Sequence, residues 1–233
     1  MNAILLAAGK GTRLRPFTET LPKSMFLLGK NEPILGRTVR QLKTRIDGDI
    51  IVATGYMQEQ FSCFKEDCKL IHNPFYGVTN SIASLWFCRE YLDEDVIIIN
   101  ADVVLEDKLL DQILQHKEEA FVCVDCARAK EGDYNVAIHA GHVVMMSKEL
   151  SAPDAEYVGV TMLTKNIAQQ LKHCIEVMVE NEQINEWYEN ALVHMILYDD
   201  FQLKYMDASQ YQWTEVDCAD DLLRAKIIYE QEG

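Results

Sequence analysis

The stretch LLAAGKGTRLRPFTETLPKSM, residues 5–25, joins an apolar run to a glycine turn and then to a cluster of cations. Asn2 to Leu6 is short, apolar and bounded by glycine, the pattern of a strand in the middle of a parallel sheet. Gly9 and Gly11 follow at once. Lacking a Cβ, they let the backbone turn so that successive N–H groups face one anion, such as a phosphate. Arg13, Arg15 and Lys23 bring permanent positive charge to the same place. A G-x-G alone is also the mark of a tight strand-to-helix turn with solvated basic neighbours. Two phosphate motifs are excluded. Leu14 stands where the dinucleotide fingerprint needs its third glycine, and Lys23-Ser24 lacks the glycine of a Walker loop.

Charge sets this start apart from the rest. The 233 residues carry a formal charge of −15, which argues against nucleic acid or an anionic membrane as partner. Residues 1–30 nevertheless hold Lys10, Arg13, Arg15, Lys23 and Lys30 against the single acid Glu19, which suits a small anionic ligand focused at one site. A hydrophobic content of 48% is ample for the core of one large α/β domain. The opening apolar run is too short for a signal sequence or a membrane span, so a cytoplasmic protein is expected. Seven scattered cysteines fit reduced thiols in that compartment. Cys123 and Cys126 form a C-x-x-C inside a strand-like run, where i, i+3 spacing sends the side chains to opposite faces and argues against zinc.

Strand and helix patterns alternate along the chain, predicting an α/β, three-layer, Rossmann-like fold with a mostly parallel sheet and helices on both faces. Ile34, Leu35, Val39, Leu42 and Ile46 recur at helical spacing behind Pro33. Strands are expected at 49–54, 69–72 and 95–100, and the run 120–127 is strand-like. Thr79 or Asn80 caps a helix expected to run through Ile82, Leu85 and Trp86 toward Leu92. Asp102 follows the most apolar strand, where open α/β sheets bind ligands, although an Asp there also caps the next helix. Asp217 lies just before an amphipathic segment holding Leu222, Leu223, Ile227 and Ile228, and on position alone is a helix cap.

The whole opening stretch resembles the signature of nucleotidyltransferases that join an NTP to a phosphorylated small molecule and release pyrophosphate. The matching residues are Leu6-Ala7-Ala8-Gly9-Lys10-Gly11-Thr12-Arg13-Leu14, Pro16, Thr18 and Pro22-Lys23. The resemblance implies a single unit over residues 1–233: a nucleotide-binding part over about 1–126, a small acceptor-binding lobe over about 127–212, and a C-terminal strand and helix over about 213–233. It implies Mg²⁺ held by Asp102 and, from the late Glu215-Val216-Asp217 stretch, by Asp217. It casts Lys23, Arg13 and Asp102 as catalytic. The nucleotide would lie against Leu6, Ala7, Ala8, Gly9, Gly11, Thr12, Arg13 and Lys23 on one side, and Tyr76, Thr79, Asn80 and Ser81 on the other.

Two departures narrow the branch. Asn73-Pro74-Phe75-Tyr76-Gly77 replaces the Gln-Pro-x-Gly-x-Ala of sugar-1-phosphate members, and only Lys148 survives of their Glu-Lys-Pro. The Tyr76 to Leu85 pattern, Asp133-Tyr134-x-Val136 before a hairpin and Glu156-Tyr157-Val158-Gly159 after it are similar instead to cytidylyltransferases of phosphocholine or 2-aminoethylphosphonate. CTP and a small amine-bearing phosphate or phosphonate are therefore the expected substrates. A sugar-1-phosphate uridylyl- or thymidylyltransferase is the alternative, and a non-catalytic nucleotide-binding subunit is a more distant one.

For the acceptor, Lys148, Glu156, Tyr188 and Glu189 are the candidate contacts, with Tyr134, Tyr211 and Trp213 as further aromatic faces for a cation. Trp187, Ala191 and Met195 share helical spacing, which assigns Trp187 to core packing. The assembly stays open between a monomer and a homodimer.

Overall fold

A computed structural model of the chain describes residues 1–129 and 134–231. The elements run β1 (Asn2–Ala7), α1 (Ile34–Lys43), β2 (Ile50–Thr54), β3 (Lys69–His72), α2 (Ser81–Phe87), β4 (Val96–Asn100), β5 (Val103–Leu105), α3 (Asp107–Gln115) and β6 (Phe121–Asp125). They continue with β7 (Asn135–His139), β8 (His142–Ser147), β9 (Ala155–Leu163), α4 (Lys165–Glu180), α5 (Glu189–Tyr198), β10 (Lys204–Asp207), β11 (Trp213–Glu215) and α6 (Ala219–Gln231).

Nine strands form one mixed, mostly parallel sheet in the order β10-β6-β9-β4-β1-β2-β3, with the β7–β8 hairpin joined through β7 to β9. Along that path only β9 runs against its neighbours, β4 and β6. Period-2 alternation sends β1 side chains to opposite faces. Ile4 packs with Ile82, Leu85, Leu171, Ile175 and Leu192 from α2, α4 and α5. Ala3 and Leu5 pack on the other face with Leu35, Val39, Leu109 and Ile113 from α1 and α3. The result is three layers. A β-branched strand such as Val96–Asn100, apolar on both faces, fits the centre of such a stack.

One detail differs from expectation. The helix opened by Asn80 ends at Phe87, not near Leu92, and the chain goes on as a 3₁₀ turn over Arg89–Asp93. Arg89 holds this break by donating to the Trp86 carbonyl at 2.9 Å while its guanidinium lies over the Trp86 ring. The cations after Gly11 are carried by turns, for which the sequence offered no helix pattern. Three short 3₁₀ turns, Thr12–Leu14, Phe17–Glu19 and Lys23–Met25, fold the segment back across the strand ends.

Outside the main sheet, β5 and β11 pair antiparallel, with Val103 opposite Glu215. The amide of Val216 then donates to the Asp102 carbonyl at 3.1 Å. This ribbon brings the late acids to the carboxyl end of β4. Val216, Ala225 and Ile228 pack with Leu14, Phe26 and Val104, so α6 supports the cation-bearing loop from below. Among the described residues, no helix is long and apolar enough to cross a membrane.

Candidate active site

The glycine loop is fixed by its own backbone. Gly11 has φ +59°, and a Cβ there would lie 3.0 Å from Thr18 Cγ2 and 3.3 Å from Lys23 Cβ. Only glycine meets both demands without strain. The Thr18 hydroxyl donates to the Gly11 carbonyl at 2.9 Å, and Tyr56 donates its amide to Ala8 and its hydroxyl to the Thr18 carbonyl. These bonds lock the loop over a cleft of about 280 Å³.

Every residue named from the sequence for the nucleotide lines this cleft, from Leu6 through Arg13 and Lys23 to Tyr76, Thr79, Asn80 and Ser81. Asp102, Glu215 and Asp217 line it as well. Asn80 caps α2, its side-chain oxygen accepting from the Ser81 amide at 2.8 Å. Neighbouring groups there are tied to the segment before α5: the Asn80 amide donates to the Ile184 carbonyl, the Ile82 amide to the Glu186 carbonyl, and the Tyr188 amide to Ser81 Oγ.

At the strand ends, two cations and three acids meet. Lys23 Nζ lies 2.5 Å from Asp102 Oδ2 and 2.6 Å from Asp217 Oδ1, and Arg13 reaches Asp217 Oδ2 at 3.1 Å. Burial works against the Lys23 ammonium, but the charges of Asp102 and Asp217 outweigh it and hold its pKa above the usual lysine range. Burial, then the charges of Asp102 and Asp217, push the Glu215 carboxyl well above the ordinary glutamate range.

Asp102, Glu215 and Asp217 can each offer an oxygen within 4.8 Å of the others'. Asp102 Oδ1 is buried and has no hydrogen-bond partner among the described residues. An all-carboxylate set with an open oxygen suits a small hard divalent cation. Asp221, in the first turn of α6, reaches back to accept from the amides of Asp217 and Cys218 ahead of the helix.

The acceptor end corrects several expectations. Tyr188 is fully buried and faces no ligand; its hydroxyl bonds those of Tyr157 and Thr161 at 2.6 and 3.0 Å. Trp187 instead reaches the cleft, 36% exposed, because α5 starts at Glu189 and leaves it on the preceding turn. Trp213 belongs to the core, donating its indole N–H to Asp125 at 2.9 Å, and Tyr211 packs with that cluster. Tyr134 stays near Trp187, ring centroids 6.5 Å apart.

Lys148, Glu156 and Glu189 are not on the cleft wall. The Lys148 ammonium stands 4.4 Å from the Trp187 ring centroid. Glu189 is buried with Oε2 unpartnered among the described residues, and burial pushes its pKa up to about 8. Glu156 lies on β9 opposite Asp125 and Asn135. Asp133 lies outside the described residues. Cys123 is buried in β6 while Cys126 is exposed beyond it.

The family model of the MobA-like NTP transferase domain matches residues 3–174. The chain belongs to this family. The choline-phosphate cytidylyltransferase of Streptococcus pneumoniae is 30% identical over 169 residues, 68% of this chain and 73% of that protein. The CTP:phosphoglutamine cytidylyltransferase of Campylobacter jejuni is 24% identical over 95% of this chain and 98% of its own length. The solved CTP:phosphocholine cytidylyltransferase of Streptococcus pneumoniae shares the fold, with a TM-score of 0.77 at 24% identity and 98% of each chain covered.

In this nucleotidyltransferase, sequence reasoning missed Glu215, Ser84 and the outward Trp187. Two of them left a signal. Glu215 closes β11 and Asp217 follows two residues on, a spacing that an extended chain turns to one side. Ser84 is one helical turn beyond Ser81 on α2. Nothing in the sequence separates Trp187 from Tyr188, since the choice depends on where the helix begins.

Proposed function

We propose that this transferase moves a cytidylyl group from CTP to a small amine-bearing phosphate or phosphonate, with Mg²⁺, releasing pyrophosphate. The observation that carries the proposal is the meeting of a glycine loop, two cations and three carboxylates in a cleft that Trp187 also lines. The cytidylyltransferase relatives support the choice of CTP.

Both reactants are anions and repel, so the protein's task is to align them and offset charge. Backbone amides between Gly9 and Thr12 would hold the triphosphate tail. Arg13 and Lys23 would stabilise the charge that grows on the departing pyrophosphate. Asp102, Glu215 and Asp217 would hold Mg²⁺, which when bound supplies Lewis-acid polarisation of the phosphate under attack. Trp187, with Tyr134 beside it, would take the amine in place of the Lys148 ammonium that lies over its ring; an ammonium at such a face gains about 0.5 to 2 kcal/mol.

The test is a pyrophosphate-release screen of the four NTPs against phosphocholine, phosphoethanolamine, 2-aminoethylphosphonate and hexose 1-phosphates. Release with CTP and an amine-bearing acceptor is expected. Release with UTP or dTTP and a hexose phosphate, and none with CTP, would replace this assignment by the sugar-phosphate one.

A further inference from the structure

We infer that Lys23 holds the place of the divalent cation until a cation-bearing triphosphate arrives, so that this site takes the metal–nucleotide complex and not the free ion. The inference rests on the triphosphate and metal assignment made above.

The geometry is that of an occupied site. The Lys23 ammonium bridges Asp102 Oδ2 and Asp217 Oδ1 at 2.5 and 2.6 Å, and these two acids belong to the acid trio that could hold a metal. Arg13 takes the other Asp217 oxygen at 3.1 Å. Both oxygens of Asp217 are thus engaged by fixed cations. On Asp102, only Oδ1 is open.

Lys23 is 14% exposed and its two acids 19% and 18%, so the group is largely withdrawn from water. Charge pairs in that setting are screened far less than surface pairs. A free divalent ion entering alone must displace an ammonium held by two carboxylates. The displaced ammonium then loses both carboxylates that it bridges, and separating a buried charge from its partners is strongly unfavourable.

A triphosphate removes that obstacle. Its oxygens would lie against the glycine loop, in the same cleft as Lys23 and Arg13. The exchange then conserves charge contacts: the side-chain cations pass from carboxylates to phosphates, and the divalent ion passes to the freed carboxylates. Each ligand therefore strengthens the other's binding, which is a coupling free energy between two sites.

The experiment measures Mn²⁺, an oxygen-seeking stand-in for Mg²⁺ with its own paramagnetic signal, by electron paramagnetic resonance on the whole protein. Three conditions are compared: Mn²⁺ alone, Mn²⁺ with α,β-methylene-CTP, and Mn²⁺ alone on Lys23→Met. The wild type is expected to bind Mn²⁺ at least about tenfold more tightly with the nucleotide analogue than without it. Lys23→Met is expected to bind Mn²⁺ alone at least about tenfold more tightly than the wild type, with the nucleotide's effect reduced. Asp217→Asn added to Lys23→Met should remove the gain. Lys23→Gln repeats the comparison where Lys23→Met fails to fold. An unchanged Mn²⁺ affinity in the Lys23 variants would overturn the inference and leave a positive pyrophosphate screen standing. A silent screen with the Mn²⁺ gain intact would overturn the assigned reaction and leave the role of Lys23.

Discussion

The backbone amide of Tyr188 donates to the hydroxyl of Ser81 across 2.9 Å, joining positions 107 apart in sequence. With the Asn80–Ile184 and Ile82–Glu186 bonds, it ties the segment carrying Trp187 to the start of α2. Ser81→Ala leaves the Tyr188 amide without its acceptor, at a cost of about 1–3 kcal/mol. The expected outcome is a lower melting temperature and a KM for the acceptor that rises more than the KM for the nucleotide. Ser81→Thr, which keeps the hydroxyl, should recover much of both. Steady-state kinetics with each substrate varied in turn decide it; equal rises in both KM values would mean that Ser81 does not position Trp187.

Lys23 carries a second expectation, in turnover. Its ammonium is placed to meet charge on the leaving group, an interaction stronger in the transition state than before it. Lys23→Ala is expected to lower kcat by about a hundredfold, or roughly 2.7 kcal/mol. A kcat within about threefold of wild type would remove Lys23 from the chemistry.

Gly55 is a packing constraint on the nucleotide wall. A Cβ there would fall 2.6 Å from Tyr76 Cβ and 2.8 Å from the Ala8 carbonyl oxygen. Both residues line the cleft, so Gly55→Ala must push its walls apart. A stability loss of about 1–3 kcal/mol is expected, with a raised nucleotide KM and little change in acceptor KM. Chemical denaturation and substrate titration measure the two effects separately.

Burial raises the Glu189 pKa from its ordinary value to about 8, against the pull of its own backbone amide and of Lys148. The folded protein therefore holds this proton more tightly than the unfolded chain does. Stability from this group is complete below the ordinary glutamate range and is lost as pH rises to about 8. The slope inside that window is at most about 1.4 kcal/mol per pH unit. Glu189→Gln, which stays neutral, should melt above the wild type at pH near 8. The gap should narrow as pH falls. A constant gap across the window would mean that Glu189 is ionised throughout.

The fold and one half of the site were legible because their signals are local. A glycine turn after an apolar strand, with Lys23 a few residues on, marks the phosphate end within about twenty positions of sequence. Asp102 shows through its place at a strand end. The acceptor half depends on distant choices. Strand β9 reads as one more apolar segment, and its insertion against the direction of β4 and β6 is decided by the sheet. Tyr188 and Trp187 are both aromatic and adjacent, and a helix starting at Glu189 turns one inward and the other outward. Glu215 joins the acids only through the pairing of Trp213–Glu215 with Val103–Leu105.

That ribbon also orders events in time. The loop at residues 9–13 and the strand that carries Asp102 leave the ribosome long before Glu215 and Asp217 do. Until the late strand lies along Val103–Leu105, Asp102 has neither fellow acid beside it. A growing chain thus carries the glycine loop and Asp102 well before the two acids that join them at the end of the cleft.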